Sequence, residues 1–169
     1  MKDVQLRRLN KGDAAQVANL ANNKNVWDNL RDFIPYPYAE KDALLFIELT
    51  ESESPQVTFG VLTEQGELCG VIGLVVQKGI YRLTAEIGYW LGEEYWGKGI
   101  ATKAIELISK YGFENLQLER IHAGVFEYNI GSMKALEKND YQKEGIFANA
   151  VIKNDNIYDE HRYSKLKIG

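Results

Sequence analysis

The sequence predicts an α/β (α+β) fold: a central mixed, mostly antiparallel sheet with helices on both faces. Three observations carry this. Segments 57–62, 68–76 and 84–91 are strand-like, and a turn-rich stretch separates the first two. A single long segment, 99–115, repeats its apolar residues with helical period. After residue 84 the order reads strand, helix, strand, helix, strand, which calls for helices packed on a sheet that contains a parallel pair.

Taken in order, 4–9 alternates apolar and polar residues and reads as a strand. Asp13 is placed to cap a helix over 14–21. A short helix is expected over 25–30. Pro35 and Pro37 then impose an extended stretch with aromatic flanks. Residues 40–49 carry Ala43, Leu44 and Ile47 at helical spacing. The run Glu64-Gln65-Gly66-Glu67 is a turn, so 57–62 and 68–76 form a hairpin. In 99–115 the apolar face is Ile100, Ala101, Ala104, Ile105 and Ile108. A strand over 120–125, a helix over 132–138 and closing strands over 141–147 and 159–166 complete the chain. No repeat, linker or low-complexity tract interrupts it, so 1–169 reads as a single domain.

Composition narrows the function classes. The 169 residues are 45% hydrophobic and 26% charged, with a net charge of −4. There is no long basic run, so binding to nucleic acid or to an anionic membrane surface is not expected. No run of about 18 apolar residues predicts a membrane span, and 1–5 lacks a signal-like apolar stretch. The cytoplasm is the expected location. Cys69 is the only cysteine and sits in an apolar run, as a buried inert thiol would. No His, Cys, Asp and Glu residues have metal-ligand spacing, so no metal is expected. His122, on a strand, reads as structural, and His161, beside acids and an arginine, as exposed.

The chemistry centres on Tyr95-Trp96-Gly97-Lys98-Gly99-Ile100-Ala101-Thr102. A helix N-terminus presents N–H groups and a partial positive charge. Two glycines just before it clear side chains from an approaching ligand and tolerate unusual backbone angles. Together they suit a phosphate. Taken alone, they fit a plain loop-to-helix junction equally well. The spacing is not that of a P-loop. A dinucleotide fingerprint needs Gly or Ala where Thr102 stands, although Glu119 lies at about the right distance for its acidic partner, about 20 residues on.

The segment from Glu86 to Ala104 resembles the central motif of the GNAT superfamily of N-acetyltransferases, and most of all its RimJ/RimL-type branch, which acetylates ribosomal-protein N-termini. A second motif, Asn129-Ile130-Gly131-Ser132 followed by Leu136-Glu137-Lys138, stands in the family's order and separation. The resemblance covers about 4–166. One departure is Asn139-Asp140-Tyr141, where the family has an apolar residue, Gly and an aromatic. Asp tolerates a left-handed helix end, so the turn should survive.

The resemblance implies acetyl-CoA as cosubstrate and a sheet splayed between its central strand and the next. The cofactor arm would pair with Tyr89, Trp90 and Leu91. The pyrophosphate would rest on the amides of Trp96, Gly97, Lys98, Gly99, Ile100, Ala101 and Thr102. Asn129 would hydrogen-bond the arm, and Ser132 would lie near the thioester sulfur. The acceptor is a primary amine, either a protein N-terminus or a small molecule. It is mostly protonated at pH 7 and must lose a proton before attack. Glu86 is the candidate base and Ser132 the candidate donor to the leaving thiolate, with Tyr128 and Tyr141 in reserve. No acyl-enzyme nucleophile is in view, so transfer should be direct. Trp27, Phe33, Tyr36 and Tyr38 are candidate acceptor-binding residues, and Asp28 and Asp32 could attract a cation. A non-catalytic acyl-CoA sensor and a nucleotide-dependent oxidoreductase are the competing readings. The assembly is expected to be a monomer or homodimer.

Overall fold

The computed structural model describes residues 3–167. Its sheet has seven strands in the order β1-β2-β3-β4-β5-β7-β6. These are β1 Gln5–Arg7, β2 Thr58–Leu62, β3 Leu68–Val76, β4 Thr84–Leu91, β5 Arg120–Phe126, β6 Gln142–Lys153 and β7 Asn156–Leu166. The helices are α1 Ala14–Ala21, α2 Lys24–Trp27, α3 Glu40–Glu51, α4 Ile100–Glu114 and α5 Ile130–Glu137. The pairs β1/β2, β2/β3, β5/β7 and β6/β7 are antiparallel and β4/β5 is parallel, so the mixed, mostly antiparallel sheet is as predicted. The described residues form two compact units, one of 3–73 with 89–104 and one of 74–88 with 105–167.

In the first unit, α1 and α3 lay Val17, Ala18, Ala21, Ala43 and Ile47 against Leu62, Leu68 and Val71. Asp13 does not cap α1: its side chain makes no such hydrogen bond. Its carboxylate instead accepts from the Asn10 N–H (2.9 Å) and from both terminal nitrogens of Arg7 (2.7 Å each). A two-point arginine pair and a backbone amide together outcompete one helix-end amide. Gly70 lets two strands approach closely, because a Cβ there would lie 2.2 Å from the Trp90 carbonyl oxygen.

In the second unit, Ile105, Ile108, Leu118, Ile121 and Leu136 are fully buried. The alternation of β5 sends Ile121, Ala123 and Val125 inward and Arg120, His122 and Gly124 to the other face. Asp140 has φ of 62°, the left-handed conformation expected of it at the end of α5. The last hairpin is longer than the sequence predicts. Asn154 and Asp155 both take positive φ, 50° and 60°, which makes a two-residue turn that matches strand twist. The register slips between Phe147 and Val151, and that irregularity hid the second half of β6 from a period-two pattern.

Candidate active site

In the first unit, β4 ends at Leu91, and the Gly92 N–H donates to the Cys69 carbonyl (2.9 Å). A 3-10 turn over Glu93–Tyr95 follows. The Glu93 carboxylate accepts from Asn23 Nδ2 (2.7 Å) and Asn25 Nδ2 (2.8 Å), which tie the turn to the start of α2 and lower the Glu93 pKa. The Trp96 indole folds back, its Nε1 donating to the Leu91 carbonyl (2.9 Å). That bond fixes where the chain turns toward α4.

Gly97 and Gly99 have φ of 69° and 78°, a region that costs an L side chain strain. A Cβ on either would meet nothing within 4 Å. Backbone angle, not crowding, therefore demands glycine, and the space before the helix is open. Lys98 between them is exposed, with its Nζ 5.6 Å from the centre of the Tyr95 ring. Ile100 is buried and anchors the first turn, and the Lys103 N–H donates to the Gly99 carbonyl (3.2 Å). Ala101 and Thr102 are half-buried. Tyr89 and Trp90 on β4 are half-buried and Leu91 is buried.

The four candidate acceptor aromatics, also in this unit, do not act alike. Trp27 and Tyr36 pack with ring centres 5.5 Å apart, and Trp27 Nε1 donates to the Ile34 carbonyl (2.8 Å). Phe33 stands out at 79% exposure. Tyr38 is buried in the core, and its hydroxyl pKa is pushed up to about 12 by burial. Asp28 is paired with Lys24 (2.7 Å). Cys69 is buried, its thiol donates to the Val61 carbonyl, and burial pushes its pKa up to about 11. It is inert.

In the second unit, the ladder of β4 with β5 pairs Thr84 with Arg120 and Glu86 with His122, and ends there. Glu86 is half-buried and sits beside the His122 imidazole. Burial lowers the His122 pKa despite the opposing pull of Glu86, so the ring is neutral at pH 7. Asn129 caps α5, its Oδ1 accepting from the Ser132 N–H (3.1 Å). Ser132 thus sits in the first turn of α5, half-buried. Tyr128 is exposed, with its ring edge-on to Tyr158 at 4.8 Å. Tyr141 is buried and its hydroxyl is bonded to Ser109 Oγ (2.8 Å), so it serves the core rather than a surface site.

The sequence pattern missed a charged group on the face of the sheet that carries His122. Arg120 pairs through both terminal nitrogens with Glu144, and Ser164 Oγ donates to the same carboxylate (2.7 Å). These partners hold the Glu144 pKa down to about 2. Glu144 stands where the β6 register slips, between Lys143 and Gly145. Arg162 pairs with the buried Glu160 (2.6 Å). Gly124 makes room for that carboxylate: a Cβ there would lie 2.4 Å from Glu160 Oε2. A cavity of about 380 Å³ opens among Arg120, His122, Glu144, Phe147 and Arg162. The period-two run Glu160, Arg162, Ser164 was the available signal. It reads equally as a solvated strand face. His161, expected to be exposed, is half-buried, and its Nδ1 is buried without a hydrogen-bond partner among the described residues. Among the described residues no group of three or more His, Cys, Asp or Glu is placed to hold a metal ion, and no helix is long and apolar enough to cross a membrane.

Comparison with known proteins matches residues 3–142 to the acetyltransferase (GNAT) domain family. The chain is 41% identical over 106 residues to "Probable N-acetyltransferase YjcK" of Bacillus subtilis (strain 168), covering 62% of this chain and 58% of that protein. It is 30% identical over 148 residues to the spermidine N(1)-acetyltransferase of Escherichia coli (strain K12), covering 84% of this chain and 74% of the other. The crystal structure of spermidine N-acetyltransferase from Vibrio cholerae in complex with CoA and spermine superposes with a TM-score of 0.81 at 25% identity, covering 96% and 95% of the two chains. The chain spans about half the length of several curated Bacillus relatives, 58, 47 and 56%.

Proposed function

The chain belongs to the GNAT acetyltransferase family, and from that premise we propose that it moves the acetyl group of acetyl-CoA to a primary amine by direct attack. The observation that carries this reading is the cradle at Gly97 and Gly99: two positive-φ glycines, open space before both, and the start of a fifteen-residue helix. Successive amides from Trp96 to Thr102 at such a helix end suit a pyrophosphate. Lys98 adds a nearby cation.

Acetyl-CoA, when bound, supplies the thioester. The chain's own part is to orient it and to move protons. The backbone of Tyr89, Trp90 and Leu91 continues β4 past its ladder with β5 and can pair with an extended cofactor arm. Asn129 offers its Nδ2, because its Oδ1 is engaged as a cap. Glu86 accepts the proton of the ammonium group, directly or through a water. Ser132 donates to the departing thiolate, with Tyr128 as its reserve.

The acceptor is a protein N-terminus or a small amine. The RimJ/RimL-type motif favours the first, and the likeness to spermidine acetyltransferases favours the second. The test is release of free CoA thiol from acetyl-CoA across a panel of peptides and small amines. Turnover with an amine supports the reading. Tight acetyl-CoA binding with no turnover on any amine sinks it in favour of a sensor.

A further inference from the structure

We propose that the cavity beside His122 binds a carboxylate on the acceptor, so that the preferred acceptor is an amino acid whose amine lies well away from its carboxylate. This rests on the acetyltransferase reading above.

The argument starts from Arg162. It lines the cavity, and one of its terminal nitrogens pairs with Glu160. Its Nε–H is buried and has no hydrogen-bond partner among the described residues. Guanidinium has five donors in a rigid plane that match a carboxylate two at a time. The Phe147 ring lies 4.8 Å from the guanidinium carbon and holds the plane in place. A buried charged donor without an acceptor is uncommon, and an anionic ligand would supply the missing acceptor.

Arg120, the other cation lining the cavity, is not available in this way. Glu144 engages both of its terminal nitrogens. His122 also lines the cavity, and as a neutral ring it can donate or accept without adding charge. Arg162 is therefore the one arginine of the lining with an orphaned buried donor among the described residues.

Placement sets the kind of acceptor. Glu86 pairs with His122, His122 with Ser164, and Arg162 lies two residues from Ser164 on the same face. Two strand spacings across and one two-residue step along put Arg162 roughly 12 Å from Glu86 between backbones. An acceptor that reaches both needs an amine and a carboxylate separated by several bonds. A side-chain amine on an amino acid has that form, and a polyamine lacks the carboxylate.

The test is a matched pair of acceptors. Lysine and cadaverine, or ornithine and putrescine, differ by the carboxylate alone. With acetyl-CoA, kcat/KM should be at least tenfold higher for each amino acid than for its diamine, through KM. Arg162→Lys keeps a cation for Glu160 but loses the planar donors, and should cut that preference at least tenfold. Equal or better turnover of the diamines, of spermidine or of a peptide N-terminus overturns the carboxylate site and leaves the acetyltransferase standing. If neither series releases CoA thiol, the acetyltransferase reading falls, and this site with it. Since the wild-type comparison stands alone, a poorly folded Arg162→Lys would not rescue a wrong proposal.

Discussion

At the scale of single residues, the candidate chemistry rests on a few positions with little freedom. Gly99 has φ of 78° and faces open space. Gly99→Glu brings both backbone strain and a negative charge to the pyrophosphate site, so acetyl-CoA binding measured by calorimetry should be lost; unchanged affinity would rule out the cradle. Glu86→Gln keeps size and removes the base. It should lower kcat about 100-fold or more with little change in the KM for acetyl-CoA. An undiminished rate would assign the proton to another group or to bulk water. Gly70 is structural: a Cβ there collides with the Trp90 backbone at 2.2 Å. Gly70→Ala should destabilise the fold by about 1–3 kcal/mol, read as a lower midpoint in urea.

At the scale of elements, the structure uses irregularities to aim side chains. The β6 slip at Lys143/Gly145 sets Glu144 where Arg120 of β5 and Ser164 of β7 both reach it, which ties three strands together. The Glu144 pKa falls from 4.5 to about 2 in the fold. A depressed carboxylate stabilises the fold above its unfolded pKa, and that contribution is lost as pH falls through the folded value. The stability from this tie should therefore decline between about pH 4.5 and pH 2. Glu144→Gln should flatten the stability–pH curve across that window; an unaltered curve would show that the exposed ion pair contributes nothing. The helix α5 shows a second economy. Asn129 caps it and Asp140 closes it with a left-handed turn, so both ends of the Ser132 helix are set by local side chains.

At the scale of the whole molecule, a ligand that binds the native state alone raises its stability by about 2.7 kcal/mol at a hundredfold excess over Kd. CoA or acetyl-CoA should raise the melting temperature by several degrees, and Gly99→Glu should abolish the shift. Stabilisation by NAD(H) and not by CoA would instead favour the dinucleotide reading. Most of the elements were legible in advance because their causes are local. A continuous apolar run marks β3, alternation marks β4, helical period marks α4, and Asp140 tolerates the angle that the end of α5 requires. The turn into α4 was legible too, since glycine before a helix is a statement about backbone angle, and Gly97 and Gly99 both take positive φ. The sequence by itself thus determined the strand and helix order, the family motif and the residues offered for cofactor and catalysis. Only the tertiary structure decided which charges keep company. It joined Glu144 to Arg120, buried Glu160 beside Arg162 over Gly124, gave Asp13 to Arg7 instead of α1, and left Arg162 with a donor unspent. Those partners lie 2 to 36 residues apart in the chain, at spacings that no single period encodes, because pairing between strands depends on register and register is a property of the folded sheet.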